Sequence, residues 1–420
     1  IYLTGHSMGG HGSAYLGFHH PDLFAAAAPL AAAYGFSWLA ASAQHLPFLW
    51  VGGEKDEEYY RVGVAAAVDR MKRLNYPVQF IELPGEDHFG PVKDFDRVFQ
   101  WLRQHRRVAH PESFTFEVDT PLHRRAYWIT VETMAEPGKV AVVKARADAD
   151  NTAWLELDNV AAISVWPDPH VFRADRALAV YIKDRAVFSG QLPASHEVFL
   201  TRNAAGWTAV KRPRRELSLT AYRTNPVAFA PESLDMDGTE ARLANWIADA
   251  MRSATGADVA FYCRAAYRGL PIPAGTVDVV DVIQCTRPFD QYLVTAELSG
   301  REIVEILEDN IQDAAAQARR NLLVQISGGK YSFNRQLAPG KRIVSSTFEP
   351  DRVYKVVMEG QVVERDTTIR LAGRFKKLPH QISNFPLSLA LYRYAALSKE
   401  LVAQREGRVQ EIERFEKPPR

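Results

Sequence analysis

Three changes of rhythm along the 420-residue sequence predict a multidomain α/β and α+β protein. Residues 1–106 alternate strand-like and helix-like segments, which points to a parallel sheet, here truncated to four strands. Residues 111–215 run as short alternating stretches, which points to a β-sandwich-like middle. Residues 226–378 mix strands and helices again as a second α/β domain, followed by a helical tail over 379–420. The 47% hydrophobic and 24% charged fractions are those of an ordinary globular chain.

Charge excludes some partners. With 51 basic against 50 acidic residues the formal net charge is +1, so no nucleic-acid partner is expected. The densest basic run, KRPRR over Lys211–Arg215, reads as a solvated linker or a docking patch. No apolar run reaches 18 residues, so no helical membrane span is expected. The two cysteines, Cys263 and Cys285, are too few for a disulfide framework or a zinc site, and leave free thiols or one disulfide open.

In the first segment, Ile1–Thr4, Phe24–Leu30, Pro47–Val51 and Val78–Leu83 are expected strands. Gly9–His20, Tyr59–Leu74 and Val92–Gln104 are expected helices. Chemistry-bearing residues fall just past the strands. Gly5-His6-Ser7-Met8-Gly9 is G-x-S-x-G, the turn that exposes a nucleophilic serine between strand and helix. Asp56 follows the third strand and His88 the fourth. A serine hydroxyl needs a base within hydrogen-bond reach, which His88 would supply. Asp56 would fix the imidazole tautomer, and the Met8 backbone N–H would donate to an oxyanion. Glu54, Glu57, Glu58 and Asp87 are rival acids. His6, His11, His19 and His20 read as structural.

GHSMGG, the HPDLFAAAAPL segment, GGEKD at the acid loop and GEDHFG at the histidine resemble the prolyl-oligopeptidase and esterase branch of the α/β-hydrolases. The resemblance covers about the first hundred residues. It implies a serine hydrolase that takes a small-molecule ester or a peptide through an acyl-enzyme, without a cofactor, and does not separate carboxylesterase from S9-like peptidase. Family members carry further strands before the elbow, and a loop that supplies a second oxyanion N–H. The expectation is therefore a fragment holding the C-terminal half of such a domain, and a poor catalyst.

From Ser113 onward, runs such as FTFEV, AYWITVE, VAVVKARA and AAISVWP are separated by turn residues, as in an antiparallel sandwich. Trp128, Trp154, Trp166 and Trp207 suit either core packing or a sugar platform. No metal-ligand cluster is read in this stretch. A similar module follows the hydrolase domain in some secreted bacterial esterases, which points to a periplasmic or secreted setting.

Glu240–Met251 (EARLANWIADAM) has Leu243, Trp246, Ile247 and Ala250 on one helical face. Asp258–Tyr262 is an expected strand, Leu298–Asn310 a helix and Asn321–Phe333 a strand pair. EARLANWIADAM, ADVAFYCRAAYR, RPFDQYL, LSGREIVEILE and VQISGGKYSFN, in that order, resemble the C-terminal domain of the 5′-nucleotidases. That domain holds a nucleoside base between two aromatic rings. Phe289 matches the first ring, Arg268 the arginine of the N-G-G-x-R turn, and Asn245 the asparagine of the helix motif, so a nucleoside or nucleotide ligand is implied. Cys263, Ala265 and Ala266 depart from the turn, and MEGQVVERDT stands where the second ring is expected. No G-N-H-E segment occurs, so no metal is expected. Three readings result: a serine hydrolase, a nucleotide-binding or nucleotide-catabolic protein lacking its metallophosphatase domain, and a non-enzymatic scaffold or dimer-forming remnant.

Overall fold

Four short strands, two of them ending at Gly-Gly or before Pro-Gly, build the first sheet. In the computed structural model these are β1 (Leu3–His6), β2 (Ala27–Leu30), β3 (Phe48–Gly53) and β4 (Val78–Leu83), hydrogen-bonded in that order and all parallel. The structure describes all residues except 33–34, 57, 216–225, 265–266, 268, 287–291, 317–322, 366–372, 376 and 413–420. The chain divides into two units, Ile1–Ala221 and Tyr222–Arg420.

Helices α1 (Met8–His19) and α2 (Glu58–Arg73) make two of the crossovers, and a 3₁₀ segment (Ser37–Ala43) makes the third. Val64, Ala67, Val68 and Met71 of α2 are buried. The helix expected from Val92 begins as a 3₁₀ turn (Gly90–Asp94) and continues as α3 (Phe95–Leu102). Its Val98, Trp101 and Leu102 cover Leu30, Leu49 and Val51 of the sheet.

The middle segment is a sandwich of two five-stranded sheets. One has the order β14-β13-β10-β7-β6: Gly206–Pro213, His196–Asn203, Val160–Val165, Ile129–Met134 and Arg125–Ala126. The other has the order β12-β11-β9-β8-β5: Arg185–Gly190, Leu178–Ile182, Thr152–Asp158, Ala141–Ala147 and Ser113–Val118. Alternation along β8, buried at every second residue, gives each sheet one inner face. The β9–β11 pair is parallel, a departure from the expected antiparallel pattern.

The tryptophans divide by position. Trp128 is fully buried, donates to the Pro111 carbonyl (3.1 Å) and meets Phe172 edge to face. Trp154 stacks on Tyr181, and Trp166 lies under the Arg214 guanidinium at 3.5 Å. The basic run over Lys211–Arg215 is therefore no free linker: Lys211 and Arg212 belong to β14, and Arg212 bonds Glu197, Glu132 and Ser164.

Strand β5 joins sandwich to parallel sheet. Glu117 accepts from the Ala41 N–H (2.9 Å) and from Arg70 of α2, while its own N–H donates to Ser42. Burial pushes the Glu117 carboxyl up, and Arg70 and the Ala41 N–H offset this only in part.

The second unit centres on a five-stranded sheet, β19-β16-β22-β18-β23 (Val324–Ser327, Val259–Cys263, Val353–Glu359, Tyr292–Ser299 and His380–Pro386). A two-stranded sheet pairs β15 (Pro226–Ala230) with β17 (Gly275–Asp278), and a three-stranded one has the order β21-β20-β24 (Ile343–Ser346, Tyr331–Phe333 and Val409–Glu411). Helix α4 (Arg242–Thr255) buries Leu243, Trp246, Ile247, Ala250 and Met251, and ends where Gly256 takes φ 60°. Helix α5 (Val279–Gln284) opens on a reciprocal cap between Asp278 and Asp281. Helices α6 (Gly300–Ala316), α7 (Gly360–Arg365) and α8 (Leu387–Ser398) follow. Phe261, Leu307, Phe333, Val356 and Phe375 share one core.

Two expectations fail in this unit. Residues 324–333 are not a strand pair, because β19 joins β16 while β20 joins β21 and β24. The helical tail is not continuous either. Helix α8 stops at Ser398, where Lys399 takes φ 57°, and β24 pairs parallel with β20. Cys263 and Cys285 are buried thiols outside any disulfide, and burial raises the Cys285 thiol. Among the described residues no helix is long and apolar enough to cross a membrane.

Trp128→Ala should remove ~3–5 kcal/mol from the sandwich, as expected for a buried aromatic cut to alanine. A urea titration followed by fluorescence and circular dichroism should show an earlier midpoint; an unchanged midpoint would place the core elsewhere.

Candidate functional site

The turn after β1 is built by close backbone approach. Ser7 has φ 56° and ψ −113°, a conformation that L-residues rarely adopt. Its N–H donates to the Leu30 carbonyl (2.9 Å), and its carbonyl accepts from the His11 N–H (3.0 Å) and His11 Nδ1 (2.5 Å). A Cβ on Gly5 would lie 2.6 Å from the Gly9 carbonyl carbon, and one on Gly10 would lie 2.5 Å from the Leu30 oxygen. Glycine at 5 and 10 is thus a steric requirement.

The fold brings Ser7, His88 and Asp56 together at the carboxyl edge of the sheet. His88 Nε2 lies 3.0 Å from Ser7 Oγ, and His88 Nδ1 lies 2.9 and 3.1 Å from the Asp56 oxygens. The Asp56 side chain is 3% exposed and that of His88 21%. His6 Nε2 donates to the His88 carbonyl (2.7 Å) and so holds the loop that carries the imidazole. Met8 opens α1, where the first N–H groups of a helix have no intrahelical acceptor. Met8 is 63% exposed, and Phe89 beside His88 is also exposed.

Of the rival acids, Glu54 and Asp87 are engaged elsewhere. Glu54 accepts from the Gly85 N–H, Asp87 from the Phe89 N–H, and Glu86 pairs with Lys93. Residue 57 lies outside the described residues.

Behind the elbow, α1 is tied to the sandwich by a buried polar cluster. Tyr15 Oη lies 2.6 Å from His123 Nε2, and His123 Nδ1 lies 3.0 Å from His20 Nε2. His19 Nε2 lies 3.0 Å from Asp119 Oδ1, and Trp38 Nε1 donates to Asp119 Oδ2. Burial, then the neighbouring His19 and His20, lower His123 to about 2; burial, then His19, lower His20 to about 4. Burial works to raise Asp119, but His19, Trp38 and His123 outweigh it and hold the carboxyl low.

Asn245 sits in the second unit, fully buried. Its Nδ2 donates to Glu240 Oε1 (2.7 Å) and the Gln404 carbonyl (3.1 Å), so it ties α4 to the segment 404–408. Phe289 and Arg268 lie outside the described residues. Sequence reasoning also passed over His110, Asp168 and His170, whose ligand atoms lie within 4.8 Å of one another. Fifty-eight residues separate His110 from Asp168, so the short D-P-H segment Asp168–His170 gives no sign of its third member.

Residues 222–369 match the family of the 5′-nucleotidase, C-terminal domain. The 5′-nucleotidase precursor from Thermus thermophilus is 20% identical, covering 58% of this chain and 55% of its own at a TM-score of 0.41. The NAD nucleotidase of Haemophilus influenzae is 12% identical, covering 90% of this chain and 64% of its own at 0.42. A thermostable esterase is 24% identical over 25% of this chain and 31% of its own, at 0.24. The chain spans less than two thirds of the length of each of these proteins. No curated protein matches. The protein thus carries a C-terminal 5′-nucleotidase-like domain, together with a weak and partial resemblance to α/β-hydrolase and esterase folds. Likenesses this loose specify no reaction.

The histidine cluster predicts acid sensitivity. Unfolded imidazoles titrate near ~6.5, above the about 4 of His20 and about 2 of His123 in the fold. Between those values the unfolded chain binds more protons, so stability is full above the unfolded value and falls as pH drops below it. Melting temperatures measured between neutral pH and about pH 4.5 should fall, and His123→Phe should make the slope shallower. An unchanged slope would show that the cluster does not control the loss.

Proposed function

We propose that the first unit is a serine acyl hydrolase acting on an ester or amide carbonyl. The observation that carries this reading is the hydrogen-bonded series Ser7–His88–Asp56, with Ser7 held at φ 56° between strand and helix. Ser7 Oγ attacks the carbonyl carbon while His88 Nε2 takes its proton. The tetrahedral oxyanion forms against the N–H of Met8, and collapse expels the alcohol or amine with the proton from His88. Water then attacks the acyl-serine by the same proton transfers in reverse order. Asp56 holds the Nδ1–H tautomer and stabilises the imidazolium. The exposed Met8 and Phe89 give the site an apolar rim, which suits an acyl or aryl ester.

On this reading a fluorophosphonate probe labels the full chain at Ser7. Ser7→Ala should abolish the labelling, and Asp56→Asn should slow hydrolysis of an aryl ester by a factor on the order of 10³–10⁴, by analogy with other triads. Labelling that persists in Ser7→Ala, or stays absent from the folded wild-type chain, would end the proposal.

The family match over residues 222–369 favours a second reading, and comparison with known proteins weighs more towards it than towards the first. In it the second unit binds a nucleoside or nucleotide. Stacking on one aromatic face contributes ~1–3 kcal/mol. Adenosine titrated calorimetrically into the full chain should bind, and Phe289→Ala should weaken it by about 5- to 150-fold, that energy expressed as affinity. A flat titration of the wild-type chain removes this reading and leaves the first untouched.

A further inference from the structure

His110, Asp168 and His170 lie apart from the Ser7 site, where the chain passes from the parallel sheet into the sandwich. His110 follows α3 and precedes β5, while Asp168 and His170 lie in the loop after β10. Prolines flank them, in His110-Pro111 and Pro167-Asp168-Pro169-His170, and restrict the backbone on both sides.

Asp168 is the fixed member. Its side chain is 3% exposed, its N–H donates to the Trp166 carbonyl, and its carbonyl accepts from the N–H groups of Val171 and Phe172. One carboxylate oxygen accepts the His170 N–H (3.0 Å), and the other faces His110 Nδ1 at 2.7 Å. Among the described residues, no lysine or arginine pairs with it. A carboxylate so buried calls for a compensating cation. The two imidazoles are exposed, with ring centroids 4.1 Å apart and planes 37° from parallel, so both can turn towards one point above the carboxylate.

We propose that these three residues form a zinc(II) site: one nitrogen from each imidazole, one Asp168 oxygen and a water. Two nitrogens and one carboxylate suit a borderline divalent ion, whereas calcium or magnesium requires a shell of oxygens. Tetrahedral zinc bonds of about 2.0 Å set neighbouring ligand atoms about 3.3 Å apart. The His110 Nδ1–Asp168 distance of 2.7 Å must therefore open, which the 40%-exposed His110 ring has room to do. If His110 ligates through Nδ1, the hydrogen it directs at Asp168 moves to Nε2, so that the neutral ring offers its lone pair to the ion. Bound zinc ties the segment before β5 to the loop after β10, over the buried contact of Trp128 with Pro111 and Phe172.

The test uses the full chain, stripped by a chelator and titrated with zinc chloride by calorimetry and with cobalt(II) by visible absorption. Expected are a single saturable equivalent, the intense bands of a four-coordinate cobalt ion, and a melting temperature that rises with zinc. His170→Ala and His110→Ala should each weaken binding by more than the roughly 10- to 100-fold typical of losing an outer partner of a metal ligand, while His196→Ala should leave it unchanged. Since Asp168→Ala removes a buried loop anchor, Asp168→Asn is the preferred variant at that position. Uptake only at millimolar zinc, or affinity unaltered in His170→Ala, would overturn the site.

Discussion

The turn at Ser7 is the constraint around which the first unit is arranged. A non-glycine residue at φ 56° costs about 1–3 kcal/mol and persists only where its surroundings over-determine it. Both backbone groups of Ser7 are engaged, by the Leu30 carbonyl in front and His11 behind. The contacts at Gly5 and Gly10 leave no space for a side chain that would relax the bend. With the backbone held, the loops after β3 and β4 bring Asp56 and His88 to meet the hydroxyl.

The same helix is braced from its far end. Tyr15 and His19 of α1, with His20 just after it, reach His123 and Asp119 in the sandwich, and Glu117 two residues earlier reaches Arg70 and the 3₁₀ segment. The middle segment therefore stiffens the sheet that carries the elbow. That stiffness rests on polar groups held away from water, a seam rigid when fully bonded and vulnerable when one partner changes its proton count.

What the sequence revealed depended on the distance over which the physics acts. The elbow is local: five residues and two glycines specify it, and Asp56 and His88 follow because strand ends in a parallel sheet line one edge. Helix α4 was equally legible from the spacing of Leu243, Trp246, Ile247 and Ala250. Asn245 stood out by its motif, but only the coordinates show it buried against Glu240. His110, Asp168 and His170 left no periodic trace, since a loop and a sheet junction meet only after the sandwich closes. The end of α8 was missed because Lys399 reverses the chain without glycine or proline to mark it.

The closing stretch of the second unit has a consequence for anyone trimming the molecule. Glu240, buried at the start of α4, accepts hydrogen bonds from Asn245 and from three successive amides, Glu406, Gly407 and Arg408. Arg408 then clasps Asp249 with two nitrogens, at 2.7 and 3.0 Å. Deleting residues beyond 403 would take three amide donors from one buried carboxylate and strip another of its counter-ion. What the primary structure presents as a dispensable appendage acts as the keystone of its unit.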